Sequence, residues 1–224
     1  MGEDIQKPLT SRMSVALAWG LISSRTLINK ILKKHSISDT GAETYISELI
    51  WREFYKYIMY HNPHCMNMEL QTKKRNIMWR EGKQAKIYFQ KWIQAQTGYK
   101  IIDSAMHQII QTGWMHNRAR MIVASVLTKN LGIDWRWGQD YFRSVLLDLD
   151  EASNNGGWQW GASVGIDPKP IRIFNPYSQQ ERFDPDEKYI KKYLPKDYDL
   201  KEPIIDHKIA RAEALARYNL NIIK

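Results

Sequence analysis

Apolar residues recur at i, i+3, i+4 and i+7 from Ser11 to about Asp150, and no stretch longer than a few residues alternates with period two. That pattern predicts an all-α protein. Between Asp39 and His61 the residues Ile46, Leu49, Ile50, Phe54, Tyr57 and Ile58 fall on one side of a helix. Asp39 and Thr40 are its start signals, and Asn62-Pro63 its stop. Similar spacing predicts helices over 24–35, 82–96, 99–112, 115–130 and 137–148, with Gly98, Gly113 and Gly132 as punctuation. A further helix is predicted to begin near Thr10–Ser14. After Ala152 the texture changes: Asn154-Asn155-Gly156-Gly157 reads as a turn, and a Pro-rich loop follows through Asp167-Pro168-Lys169-Pro170 and Asn175-Pro176. Short helices are expected again over 186–193 and 206–218. No repeat, low-complexity tract or linker divides the sequence, so a single domain is expected over 1–224.

Composition narrows the function classes. Lys and Arg number 33 against 24 Asp and Glu, a formal charge of +9. Such a body favours polyanionic partners, nucleic acid first, although scattered positive charge serves solubility equally well. One cysteine, Cys65, leaves no internal disulfide framework and no multi-cysteine zinc site, which suits the interior of a cell. The longest apolar stretch, 13–22, is too short and interrupted to span a bilayer, so no membrane partner is expected.

The common nucleotide and hydrolase motifs, the dinucleotide glycine fingerprint, the P-loop and the nucleophile elbow, are absent. Four other constellations carry candidate chemistry. Thr10-Ser11-Arg12-Met13-Ser14 offers hydroxyls, a guanidinium and a helix start, either a phosphate seat or an ordinary N-cap. Glu48, Trp51 and Arg52 share one helix face. They suit a flat heterocycle, or form a Glu48–Arg52 surface pair with Trp51 in the core. Asn117, Arg120 and Met121 fall within one turn, with Arg118 one step around, and fit either a charged, flat ligand or a solvated basic helix. Lastly, Asp148 to Trp160 sets carboxylates, amides and glycines beside two tryptophans, Trp158 and Trp160. No histidine lies near those carboxylates, and no metal site is expected.

Taken in order, Thr10-Ser11-Arg12-Met13-Ser14, Glu48 to Glu53, Thr97-Gly98-Tyr99, Gly113 to Met121, Asp134-Trp135-Arg136, Asn154 to Trp160 and Arg172-Ile173-Phe174-Asn175-Pro176 resemble landmarks of the FAD-binding domain of the photolyase and cryptochrome family. The resemblance is specifically to its cyclobutane-dimer photolyases and covers nearly the whole chain. It implies an all-helical fold holding FAD and light-driven repair of pyrimidine dimers in DNA. Thr10, Ser11, Arg12 and Ser14 would then bind the pyrophosphate and ribitol region, with Arg120, Asp148 and Asp150 around the flavin and its ribose. Asn154 would face flavin N5, while Met13, Tyr45, Arg52, Asn117 and Gly157 complete the surroundings, to which Glu48 also belongs. On the substrate side Glu48 would hydrogen-bond the dimer, Trp51 and Trp160 would line its apolar walls, and Asn117, Arg118 and Met121 would complete the pocket. Trp158, Trp135 and Trp79 match the family's electron-transfer chain, with Trp92 or a tyrosine as the alternative end of it.

In this family an α/β domain with an antenna chromophore usually precedes the FAD-binding part, and here the sequence begins almost at the FAD motif. The antenna is therefore expected to be absent or supplied by a separate polypeptide, and the chain to act as a monomer. Two rivals follow: a cryptochrome-like light sensor, and a non-catalytic FAD- or DNA-binding subunit that needs such a partner.

Overall fold

The computed structural model describes residues 10–167, 171–199 and 202–219. Among these there is no strand, in line with the all-α expectation. The helices are α1 (Ser14–Ala18), α2 (Ser24–Leu32), α3 (Thr40–His61), α4 (Gly82–Ile93), α5 (Lys100–Thr112), α6 (Asn117–Ser125), α7 (Trp135–Val145), α8 (Glu151–Gly161), α9 (Pro176–Phe183), α10 (Lys188–Tyr193) and α11 (His207–Asn219). Two short 3₁₀ turns, Pro63–Met66 and Thr72–Lys74, follow α3, and a π-helical turn, Val126–Asn130, continues α6.

Local chemistry explains most boundaries. Gly113 stops α5 with φ +62°, and Gly98 turns into it with φ +79°. Only glycine fits at Gly98, since a Cβ there would stand 2.7 Å from the Glu202 carbonyl oxygen. The predicted 137–148 helix begins two residues earlier, because the Asp134 side chain accepts from Arg136 N and caps it, and it ends at Val145. On α3 the predicted apolar face is narrower than the spacing suggests. Ala42, Ile46 and Leu49 are buried, whereas Ile50 and Tyr57 stay exposed because α3 packs on α2 and α8 along one side only.

The largest correction concerns Asn154-Asn155-Gly156-Gly157, which is no turn but the middle of α8. Its glycines make it a poor helix by intrinsic preference, and tertiary contacts decide the outcome. Asp150 caps α8 by accepting from Ser153 N and Ser153 Oγ, both at 3.0 Å. Gly156 and Gly161 let it approach Tyr55 and Ala124. The expected loop also contains α9, where Asn175 caps by accepting from Tyr177 N and Pro176 takes the first helical position. The part of that loop at Pro168-Lys169-Pro170 lies outside the described residues.

The core runs through α5, α6, the π-turn, α7 and α8, with Trp92, Ile102, Met106, Val123, Leu127 and Trp135 wholly enclosed. Helices α10 and α11 close it from the C-terminal side. No helix among the described residues is long and apolar enough to cross a membrane.

Candidate functional site

Helix α8 is anchored along one side by amides. Asn155 Nδ2 donates to Cys65 O (2.8 Å) and Gln139 Oε1 (2.7 Å), and Gln159 Nε2 donates to Cys65 O (2.8 Å). Gln159 Oε1 accepts from Leu70 N at 2.8 Å. These residues are four apart, so a second face carries Asn154, Gly157 and Trp158. Asn154 is half-buried and its Nδ2 donates to Gln139 O at 3.1 Å. A Cβ at Gly157 would meet nothing within 4 Å, so space opens there. Trp158 is buried edge-on to Phe142 (5.0 Å) and Trp92 (6.0 Å), and its Nε1 has no hydrogen-bond partner. Trp160, on the Gly156 side, packs on Phe174 (6.1 Å) beneath the Arg172 guanidinium (5.3 Å).

Helix α3 faces α8 across Gly156, where a Cβ would fall 2.1 Å from the Tyr55 ring. Trp51 is 47% exposed, so the core alternative for it is wrong: it stands on the surface against Phe54 and Tyr55. The Glu48–Arg52 pair is also replaced, because Arg52 engages Glu53 (2.8 Å), Asp150 (3.2 Å) and the Leu17 carbonyl (3.2 Å). The Glu48 carboxyl opens to solvent, yet the protein atoms crowded around it push its pKa above the ordinary carboxylate value. Burial, then the charges of Glu48 and Asp167, raise the Tyr55 phenol, which stays protonated.

Helix α6 adds the third side. Arg120 Nη2 reaches both oxygens of Asp148 (2.9 and 2.8 Å) and its Nε donates to Met115 O (2.8 Å), while Asp148 itself is buried. Asn117 is exposed at the start of α6, Arg118 lies over Phe183 (4.5 Å) and Met121 is half-buried. With Ala119, Ile122 and Val123 buried, α6 is no merely solvated basic helix.

At the chain's described start, α1 has only five residues, too few to present much dipole to a phosphate. Its N-cap, Met13, has no side-chain cap, so the N-cap alternative fails. Ser11 instead accepts from Met13 N (3.3 Å) and pairs with the Tyr45 hydroxyl (2.8 Å). Ser14 Oγ accepts from Trp114 Nε1 (3.2 Å), and Arg12, held in the left-handed region at φ +52°, lays its guanidinium over Trp114 (4.9 Å). Thr10 Oγ1 is buried and has no hydrogen-bond partner.

The Ser11–Tyr45, Arg52–Asp150 and Arg120–Asp148 contacts thus tie the segment before α1, α3, α6 and the start of α8 into one arrangement. An unpartnered buried hydroxyl, open space at Gly157, an indole with an idle N–H and several cations suit a large ligand that is flat at one end and anionic at another. Of the other predicted tryptophans, Trp135 is fully buried with Nε1 on Glu69 Oε1 (3.2 Å), and Trp79 is half-buried against Tyr218 (6.3 Å). The indole in direct ring contact with Trp158 is Trp92. Gln139 and Tyr55 escaped the sequence reading, and Asn155 and Gln159 stood in the Asp148–Trp160 motif without a role of their own. The i, i+4 spacing of Asn155 and Gln159 becomes a signal only once α8 is known to be helical.

Residues 45–217 match the family described as the FAD binding domain of DNA photolyase. A deoxyribodipyrimidine photo-lyase of Vibrio cholerae is 47% identical over 191 residues, covering 83% of this chain and 40% of that protein. Among solved structures, a class III photolyase from Agrobacterium tumefaciens superposes with a TM-score of 0.90 at 36% identity, over 100% of this chain and 52% of that one. A cryptochrome from Synechocystis superposes with a TM-score of 0.85 at 29% identity, over 92% and 48%. The chain therefore spans about half the length of the proteins it matches.

Proposed function

The chain belongs to the photolyase FAD-binding family, and from that premise we propose that it binds one FAD non-covalently and repairs cyclobutane pyrimidine dimers in DNA under blue light. The observation that carries this reading is α8, which sets Asn154, Gly157 and Trp158 on one face and Trp160 beside it, between the Arg120–Asp148 and Arg52–Asp150 pairs. When bound, reduced FAD would supply on excitation one electron that opens the cyclobutane ring and would take it back once the two pyrimidines have separated.

The chain's own residues bind, orient and exclude water. Thr10, Ser11, Arg12 and Ser14 hold the phosphates and the ribitol chain with Met13 beside them, and Thr10 Oγ1 gains the partner it lacks. Tyr45 and Arg52 support that segment through Ser11 and the Leu17 carbonyl. Arg120, Asp148, Asp150 and Asn117 border the flavin and its ribose. Gly157 leaves room for the ring system, and Asn154, its nitrogen given to Gln139 O, offers its amide oxygen to the N5 hydrogen. Trp158 would be the residue that passes an electron to oxidised flavin, refilled through Trp135 and Trp79 as in the family's chain or through Trp92, the indole it touches. On the outer side Glu48 accepts from the dimer, Trp51 and Trp160 flank it, and Asn117, Arg118 and Met121 close the pocket. A dimer is poorly stacked and paired, which lowers the cost of extruding it from the helix.

Purification and an absorption spectrum test the first half, and an illuminated repair assay on dimer-bearing DNA the second. A flavin spectrum lost to the supernatant on mild denaturation, together with light-dependent repair, is the expected result. A protein that cannot be loaded with FAD overturns the reading. The likeness to a cryptochrome favours a second reading, light sensing on the same scaffold. FAD binding and photoreduction without any preference for damaged DNA would select it.

A further inference from the structure

We propose that Lys129, which touches neither cofactor nor substrate, is the positioning residue that fixes α8, and with it Asn154 and Trp158, against α6. The proposal rests on the reading of α8 as the flavin-facing helix.

Val126–Asn130 form a π-helical turn in which Leu131 N donates to Val126 O at 2.9 Å, five residues back. One inserted residue rotates the side chains that follow by about 100°, one residue's share of a helical turn. All five residues of this turn are buried; Lys129 is 0% exposed, and its Nζ donates to Gly161 O at 2.7 Å. Thr128 Oγ1 lies 2.8 Å from Ala124 O and 3.3 Å from the same Gly161 oxygen. The Tyr218 hydroxyl donates to Ala162 O at 2.5 Å.

Gly161 ends α8 and Ala162 is its C-cap. Carbonyls at that position have no intrahelical partner and carry the negative end of the helix dipole. At the same point α6 and α8 come within backbone reach, since a Cβ on Gly161 would stand 2.9 Å from Ala124 Cβ. Lys129 therefore bonds α8 where it meets the helix that presents Asn117 and Arg120. The two arms of the site are registered at their shared C-terminal ends.

Lys129 faces the Tyr218 ring (4.9 Å), with Lys74, Arg217 and Asp167 as its charged neighbours. Burial, then the charges of Lys74 and Arg217, push its pKa well below the usual lysine value. The bond to Gly161 O needs a donor rather than a charge, so a neutral amide should partly replace it.

The test uses the purified chain with Lys129→Met, Lys129→Gln and, as a core control away from α8, Tyr193→Phe, which removes the hydroxyl that accepts from Gln108 Nε2 at 3.1 Å. In the FAD-free protein, Lys129→Met should speed amide exchange in α8 about tenfold and leave α3 unchanged. In the loaded protein it should slow photoreduction of FAD about tenfold, with FAD affinity held within about threefold. Lys129→Gln should recover both to within about threefold of the parent, and Tyr193→Phe should lower the melting temperature without slowing photoreduction. The proposal is overturned if Lys129→Met leaves α8 exchange and photoreduction at parent values. It is equally overturned if Tyr193→Phe slows photoreduction as much, because any core defect would then do the same. Should Lys129→Met not fold, Lys129→Gln against Tyr193→Phe carries the same comparison. If no protein binds FAD, the flavin reading fails, and amide exchange alone still decides whether Lys129 holds α8.

Discussion

Helices α3 and α8 both supply the site, and they are held in opposite ways. α8 has 11 residues, of which Ala152, Asn155, Trp158, Gln159 and Gly161 are buried, and side chains bond both of its ends and one flank. α3 has 22 residues and buries only Ala42, Ile46 and Leu49, leaving Trp51, Tyr57 and Glu48 open. The difference follows the partners proposed for them. A flavin that exchanges electrons with Trp158 demands fixed distances, whereas a helix that receives a large polyanion needs an uncovered face. On that proposal, rigidity on one side and openness on the other would let photoreduction and repair use different residues around a shared cofactor.

The largest expected effect separates those two activities. Trp158→Phe keeps a ring against Phe142 and removes the indole, so light-driven reduction of oxidised FAD should fall by more than about tenfold, ~1.4 kcal/mol of barrier. The same variant reduced with dithionite before illumination should split dimers at near the parent rate. Glu48→Ala should do the reverse, keeping photoreduction and losing about tenfold in repair. Parallel loss of both activities in both variants would break the comparison and point to a general FAD-binding defect.

How far this contrast was legible in the sequence depends on where the information lies. α3 and α5 announce themselves, since Asp39, Asn62-Pro63, Tyr99 and Gly113 mark ends around regular apolar spacing. α8 does not, because Asn-Asn-Gly-Gly has the composition of a turn. What makes it helical lies far away in sequence: the Tyr55 ring over Gly156, Ala124 against Gly161 and Cys65 O receiving two amides. Asn175-Pro176 did carry a helix-start signature and was outweighed by the prolines before it. Some residues named from motifs meet at the start of α8, Arg52 with Asp150 and Arg120 with Asp148, yet these bonds, such as Arg52 choosing Asp150 over Glu48, follow from packing that no spacing encodes.

A middle-sized effect sharpens the contrast within two adjacent residues of α8. Gly156→Ala places a Cβ 2.1 Å from the Tyr55 ring and should destabilise the chain by ~1–3 kcal/mol. That is a drop of roughly 2–4 °C in melting temperature per kcal/mol for a chain of this size. Gly157→Ala meets nothing within 4 Å and should instead stabilise the FAD-free chain by up to ~1 kcal/mol, as expected for Gly to Ala in a helix. It should also weaken FAD, whose ring system needs that space. Equal melting curves for the two variants would show that α3 does not rest on α8 at Gly156.

The smallest effect is one of pH, and it differs in sign between the two sides. On the α8 side His207, mostly buried, meets Asn130 Nδ2 through Nδ1 at 3.0 Å. An amide nitrogen offers only hydrogens, so that ring nitrogen must be the unprotonated acceptor. Burial lowers the His207 pKa below the usual 6.5, Arg211 adds to this and Asp206 opposes it. A group depressed on folding contributes stability that is present above its unfolded pKa and lost as pH falls through the folded one, at most ~1.4 kcal/mol per pH unit. Glu48, raised on folding, behaves oppositely: what it contributes is present below the unfolded value of 4.5 and lost as pH rises through the folded one. Its exposure keeps that term small. Acidification below 6.5 should therefore loosen the seat of α11 on the π-turn without loosening α3. Melting temperatures across that range should fall less steeply for His207→Gln, whose amide oxygen still accepts from Asn130 and cannot titrate. Identical slopes for the parent and His207→Gln would remove His207 from the account of what steadies the α8 side.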